Sequence, residues 1–216
     1  MKKFAVILSG NGVYDGSEIH EATLSMYAIK KQGADYEVFA PDMEQHHVVN
    51  HLNGEEMKEK RNVLVEAARI ARGNIKPLDH FDPAGYDVLF IPGGFGVAKN
   101  LSTFAIDGPD CKVQPDVEKA INGMYQAGKP IAALCISPAV VARVLGKGKM
   151  TIGQDEGTAG AIEAMGGVHE TTSHGEVIVD KENKLFTTPC YMLDADIVQI
   201  GDGAENIVRV VLKFLK

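Results

Sequence analysis

The chain has 216 residues, with 22 Lys+Arg against 29 Asp+Glu and a formal net charge of −7. That length exceeds a stapled miniprotein and reads as one domain spanning residues 1–216. Hydrophobic residues at 45% and charged residues at 24% exclude a disordered chain, and the acidic balance argues against a nucleic-acid binder.

The first apolar run, Phe4–Leu8, follows Met1-Lys2-Lys3 and meets Ser9-Gly10-Asn11-Gly12. It is too short for a secretory signal core and reads as a buried strand before a tight loop. No stretch approaches the roughly 18 apolar residues of a membrane span, so no membrane contact is expected. Glu18–Gln32 places Ile19, Ala22, Met26 and Ile29 at helical spacing, with Gly33 closing the helix. Tyr36–Ala40 is a second strand. Pro41–Lys60 is polar and His-rich, an insertion-like stretch expected to lie over one edge of the domain. Asn62–Arg72 is a helix closed by Gly73. A strand at Val88–Ile91 precedes a helix at Val113–Ala127, and a strand at Ile131–Leu134 precedes a helix at Pro138–Leu145. Val177–Asp180 and Leu185–Thr188 form a hairpin, and Glu205–Leu215 is the last helix. Strands alternating with helices predict an α/β fold, a mainly parallel sheet with helices on both faces. Ligands bind such sheets at the carboxyl ends of strands, so the loops after Leu8, Ile91 and Leu134 are the ones to search.

Three cysteines, Cys111, Cys135 and Cys190, cannot all pair and lack CxxC spacing. They point to reduced thiols, and a cytoplasmic location is expected. Cys135 alone sits between a strand and a helix. Its neighbours at two residues either side, Ala133 and Ser137, are small, as the strained turn of a nucleophile elbow requires, and Pro138 suits a first helical turn. The helix N-terminus is expected to lower the thiol pKa. Cys111 and Cys190 lack this context and read as packed or exposed thiols.

Pro92-Gly93-Gly94-Phe95-Gly96 is a strand entering a glycine turn. Paired glycines let backbone N–H groups face a site, and Gly94 with Ile136, the residue after Cys135, is the natural pair of oxyanion donors. The spacing is not that of a dinucleotide loop, and no clean helix start follows it. In the first helix Glu18 and Glu21 share a face. Either one can simply complement the helix dipole, and either one beside a thiolate can move a proton. His47 and His51 have helical metal spacing but no assured helix, so no metal site is expected. A Cys–His pairing has to draw on a distant histidine, His174.

Ser9–Glu21, Asn50–Glu55, Arg61–Leu64, Pro92–Leu101 and Thr187–Pro189 carry a resemblance over nearly the whole chain. The chain resembles the DJ-1/PfpI superfamily of class I amidotransferase-like proteins, most closely its ElbB branch, once named for isoprenoid biosynthesis. The resemblance implies a flavodoxin-like fold and a glutathione-independent glyoxalase, a cofactor-free lyase that converts glyoxal to glycolate, with deglycase activity as a related reading. It assigns the nucleophile to Cys135. It assigns the first-helix glutamate to Glu21, twelve residues before Gly33. The superfamily's histidine has no match, since Ile136 follows Cys135 and Gly153 follows Lys149–Ile152. A downstream His-x-Glu pair, which glutamine amidotransfer needs, is missing. The expected partners are a small 2-oxoaldehyde and a second copy of the chain, in a homodimer. A non-enzymatic thiol sensor or binding protein on the same fold is the alternative.

Overall fold

The computed structural model describes residues 1–216. The elements run β1 (Lys3–Ile7), α1 (Ile19–Lys31), β2 (Asp35–Ala40), α2 (Val63–Ile70), β3 (Lys76–Pro77), β4 (Val88–Ile91), α3 (Phe95–Lys99), α4 (Phe104–Asp107), α5 (Pro115–Gln126), β5 (Ile131–Leu134), α6 (Ser137–Leu145), β6 (Lys149–Met150), α7 (Glu156–Ala164), β7 (Val168–His169), β8 (Ile178–Asp180), β9 (Leu185–Thr188) and α8 (Ile197–Phe214). Seven strands form one sheet in the order β3-β2-β1-β4-β5-β9-β8. Every pairing is parallel except the β8–β9 hairpin. β6 and β7 make a small parallel sheet of their own.

Alternation along the strands divides the interior. Phe4, Val6, Phe90 and Phe186 face one core with Ala22, Met26 and Ile29 of α1 and Ile200, Ile207 and Val208 of α8. Ala5, Ile7, Leu89, Ile91, Ile131 and Ala133 face the other with Val117, Ile121 and Met124 of α5 and Val140 of α6. A strand buried on both faces must be apolar at every position, which is why these segments are unbroken hydrophobic runs. This is the mainly parallel, helix-flanked fold the sequence predicts.

Three expectations are revised. α8 begins at Ile197, not Glu205, because Asp196 and Gln199 form a capping box. Gly201 and Gly203 look like breakers in the sequence. Gly203 is buried in α8 beside the end of β9, where an added Cβ would make an ordinary contact with the Cys190 sulfur at 3.4 Å. The glycine loop does open a helix, α3, whose N-cap is Gly94 at φ +101°. Finally, residues 41–60, expected over one edge of the domain, run over the carboxyl end of the sheet. They cross the loops after β1 and β4, where Val48 and Val49 are buried, the Val49 N–H donates to Asp15 Oδ2 (2.7 Å) and the His46 N–H donates to Asn100 Oδ1 (2.8 Å).

Candidate active site at Cys135

β5 ends at Leu134, and Cys135 takes φ +59°, a left-handed conformation that costs a non-glycine residue energy. Two hydrogen bonds hold the turn. The Cys135 N–H donates to Thr188 O (3.1 Å), extending the β5–β9 pairing by one residue. Ser137 Oγ donates to Pro92 O (2.8 Å), tying the elbow to the glycine loop. Ala133 and Ser137 are buried, so larger side chains there would have no room. α6 starts at Ser137, one residue earlier than the sequence suggests, with Pro138 in its first turn.

Glu21 lies in the first turn of α1 and is fully buried. Its Oε2 accepts the Gly93 N–H (2.9 Å), and its Oε1 accepts the Tyr191 N–H (3.1 Å). The Cys135 sulfur is its neighbour: a Cβ built on Gly93 would stand 2.6 Å from Glu21 Oε2 and 2.8 Å from Cys135 Sγ. The Gly94 and Ile136 backbones lie beside the Cys135 thiol in the wall of the same cavity, and their N–H groups favour its thiolate. The four residues singled out for the core of the site therefore converge on one point. Glu18 is the N-cap of α1, where its Oε2 accepts the Glu21 N–H (2.7 Å), and it also lines the cavity above Cys135.

Burial, and then the charge of Glu18, push the Glu21 carboxyl up to about 8. Burial and the Glu21 charge push the Cys135 thiol well above its usual range, and the Gly94 and Ile136 N–H groups only partly offset this. This reverses the lowered thiol pKa that the sequence suggests. Desolvation outweighs the helix N-terminus once the sulfur is enclosed. The pair titrates as a unit, and its carboxylate is far more basic than an exposed glutamate.

A cavity of about 360 Å³ opens over Cys135, with Glu18, Phe95, Ile136, Asp155 and Tyr191 among its walls. A larger hollow of about 520 Å³ lies elsewhere, beside Cys111 and Arg143. The smaller one is the candidate site because Cys135 lines it, with Glu21 buried behind Cys135. His174 is not part of it. It is exposed, in a separate hollow beside Gln199 and Asn206 of α8, because the loop before β8 runs along the hairpin edge of the sheet. His47 and His51 hold no metal geometry either. His47 Nε2 lies 3.2 Å from Lys99 Nζ, and His51 sits between the Tyr14 N–H and Val49 O.

Two neighbours escaped sequence reasoning. Tyr191 lines the cavity, and its hydroxyl lies 2.7 Å from His20 Nδ1. Cys190 is buried at φ +45°, and the charges of Glu21 and Cys135 reinforce the effect of burial in raising its pKa. Both arrive through the parallel β5–β9 pairing. The only local signal for them was Thr187–Pro189 just upstream.

No family model matches the chain. Glutamine amidotransferase-like class 1 domain-containing protein 3, mitochondrial, from Homo sapiens is 45% identical over 221 residues, covering 98% of this chain and 82% of the relative. The crystal structure of an isoprenoid biosynthesis protein with an amidotransferase-like domain from Ehrlichia chaffeensis superposes with a TM-score of 0.94 at 39% identity over the full length of both chains. Glyoxalase III from Candida albicans superposes with a TM-score of 0.64 at 18% identity over 98% of this chain and 96% of that one, a likeness of fold. The curated relatives from human, rat and zebrafish are all named mitochondrial, which overturns the cytoplasmic expectation. Unpaired thiols report a redox state, and a redox state is not an address. Identity of this depth, end to end, shows that the chain belongs to the ES1 family of class I glutamine amidotransferase-like proteins, and its fold is the one seen in DJ-1/PfpI proteins.

Proposed function

We propose that the protein is a cofactor-free, glutathione-independent glyoxalase that converts a small 2-oxoaldehyde such as glyoxal to the hydroxy acid. The observation that carries this reading is the fully buried Glu21 packed against Cys135 across Gly93, with the Gly94 and Ile136 backbones beside the thiol. The Glu21 carboxylate takes the thiol proton as sulfur adds to one aldehyde carbon, giving a hemithioacetal. Glu21 then removes the hydrogen from that carbon as a proton and returns it to the neighbouring carbon. The first carbon is oxidised to a thioester and the second is reduced to an alcohol, so no outside oxidant or reductant is needed. Water adds to the thioester, and the acid and the thiol leave. A base with a pKa near the working pH suits both transfers. Gly94 and Ile136 are the donors for the oxyanion at each addition. The glyoxalase III neighbour supports the choice of chemistry.

The test is glyoxal consumption without glutathione. Wild type, Cys135→Ala and Glu21→Gln are compared, with Cys111→Ala and Cys190→Ala controlling for scavenging by the other two thiols. Turnover in wild type no faster than in Cys135→Ala defeats the proposal. One observation favours a second reading, a redox-sensing thiol: Cys190 lies near enough to Cys135 to feel its charge. We also propose a homodimer, to be checked by light scattering in solution.

A further inference from the structure

The walls of the cavity over Cys135 carry charge of one sign. Glu18 and Asp155 are its charged lining residues, and no Lys, Arg or His lines it. They enter from different elements, Glu18 as the N-cap of α1 and Asp155 as the N-cap of α7. Each is fixed by its own helix, Glu18 Oε2 on the Glu21 N–H (2.7 Å) and Asp155 Oδ1 on the Thr158 N–H (2.7 Å). No basic side chain forms a salt bridge with either. Their helix N-termini return roughly half a positive charge each, and those of α3 and α6 at Gly94 and Ile136 add partial positive charge near the sulfur, so the two carboxylates are the full charges of the cavity's walls. Glu21 and Cys135 share a further negative charge beneath it once one proton is lost.

Two groups of opposite sign stand behind the lining. Lys99 Nζ lies 4.9 Å from the centre of the Phe95 ring, held by Tyr14 O (3.3 Å) and beside His47 Nε2 (3.2 Å). His20 is exposed behind the Tyr191 hydroxyl. Neither reaches the space where a solute meets the sulfur.

We infer that Glu18 and Asp155 are a charge filter: the site takes uncharged small carbonyl compounds and turns away those that carry a carboxylate. Like charge facing like charge inside a partly enclosed hollow penalises binding of an anion while leaving a neutral molecule of the same shape unaffected. If the glyoxalase reading holds, on which this part rests, the filter also speeds the reaction's exit. The substrate enters neutral and the product leaves as an anion.

The experiment needs no turnover. Iodoacetamide and iodoacetate have almost the same shape and differ by one negative charge. Each alkylates Cys135, and the rate is read from the mass of the peptide that contains it. Asp155→Asn and Glu18→Gln remove the charge and keep an oxygen that can cap the helix. Glu18→Gln also changes the basicity of Glu21, but that alters both reagents alike and cancels in the ratio. The preference for iodoacetamide over iodoacetate is expected to fall about threefold in Asp155→Asn and about fivefold to tenfold in the double variant at low salt. In wild type it is expected to shrink on raising salt to about 0.5 M, which requires no variant to fold. A ratio unchanged by the double substitution and by salt overturns the filter. A salt-sensitive ratio in a protein that does not turn over glyoxal keeps the filter and removes the enzyme.

Discussion

Glu21 and Cys135 meet across Gly93, a residue that has to lack a side chain for them to touch. A Cβ built there would stand 2.6 Å from Glu21 Oε2 and 2.8 Å from the Cys135 sulfur, and it would overlap Cys135 Cβ. Gly93→Ala is therefore expected to push acid and thiol apart. Glyoxal turnover should fall by about a hundredfold, as when reacting groups are misplaced by about an ångström. Overpacking should cost about 1–3 kcal/mol of stability. Activity within threefold of wild type would show that the contact is not used.

The buried carboxyl should be visible in stability against pH. Glu21 has a folded pKa of about 8 against an ordinary 4.5. The unfolded chain releases this proton first, so the contribution of Glu21 is complete below about pH 4.5 and declines as pH climbs toward 8. Glu21→Gln has no such titration. Urea unfolding should find the variant less stable than wild type at pH 5, with the gap closing by pH 8. A gap that stays constant across that window would mean Glu21 is ionised throughout.

The same group sets the pH dependence of activity. If Glu21 acts as a base, kcat/KM for glyoxal should rise with pH through about 8 in wild type, and Glu21→Gln should lose both the rise and most of the rate.

Tyr191 contributes in two separable ways. Its backbone N–H holds Glu21, while its hydroxyl lies by His20 at the cavity wall. Tyr191→Phe keeps the first and removes the second. We expect kcat to fall about tenfold, with melting temperature within about 2 °C of wild type, and His20→Ala to give part of the same loss. Unaltered kinetics in both would leave the hydroxyl pair outside the reaction.

Asn100 joins three loops around the site. Its Nδ2 donates to Ser9 O (2.9 Å) and Asp15 O (2.8 Å), and its Oδ1 accepts the His46 N–H. Asn100→Ala strands these groups in a buried setting and is expected to cost about 3 kcal/mol, or about 10 °C in melting temperature. A loss below about 1 kcal/mol would show that the loops are held by other contacts.

What the sequence made legible was local. Val88–Ile91, Ile131–Leu134 and Leu185–Thr188 are strands at the expected residues, the first two because burial on both faces leaves an uninterrupted apolar run, the third from its place in the hairpin. Cys135 stood out by its strand, its small neighbours and Pro138. Glu21 stood out through the resemblance, by its distance from Gly33. The unread parts depend on contacts distant in sequence. β3, β6 and β7 are two residues long and carry no periodicity. α3 was hidden by its own glycines. Tyr191 and Asp155 reach the cavity only through strand pairing and the small sheet that carries α7. The direction of the Cys135 shift was misjudged for the same reason: a helix N-terminus can be read from a motif, while the degree of enclosure cannot.

The main sheet ends in very short strands. β3 offers two residues at one margin and β8 three at the other. A neighbouring chain could add only a few main-chain hydrogen bonds at either side, too few to anchor a growing ribbon. Self-association of this protein by strand addition is thereby blunted at both margins. Any lasting pairing between copies has to be written in the side chains of helices and loops, where point substitutions can dissolve it without disturbing the fold.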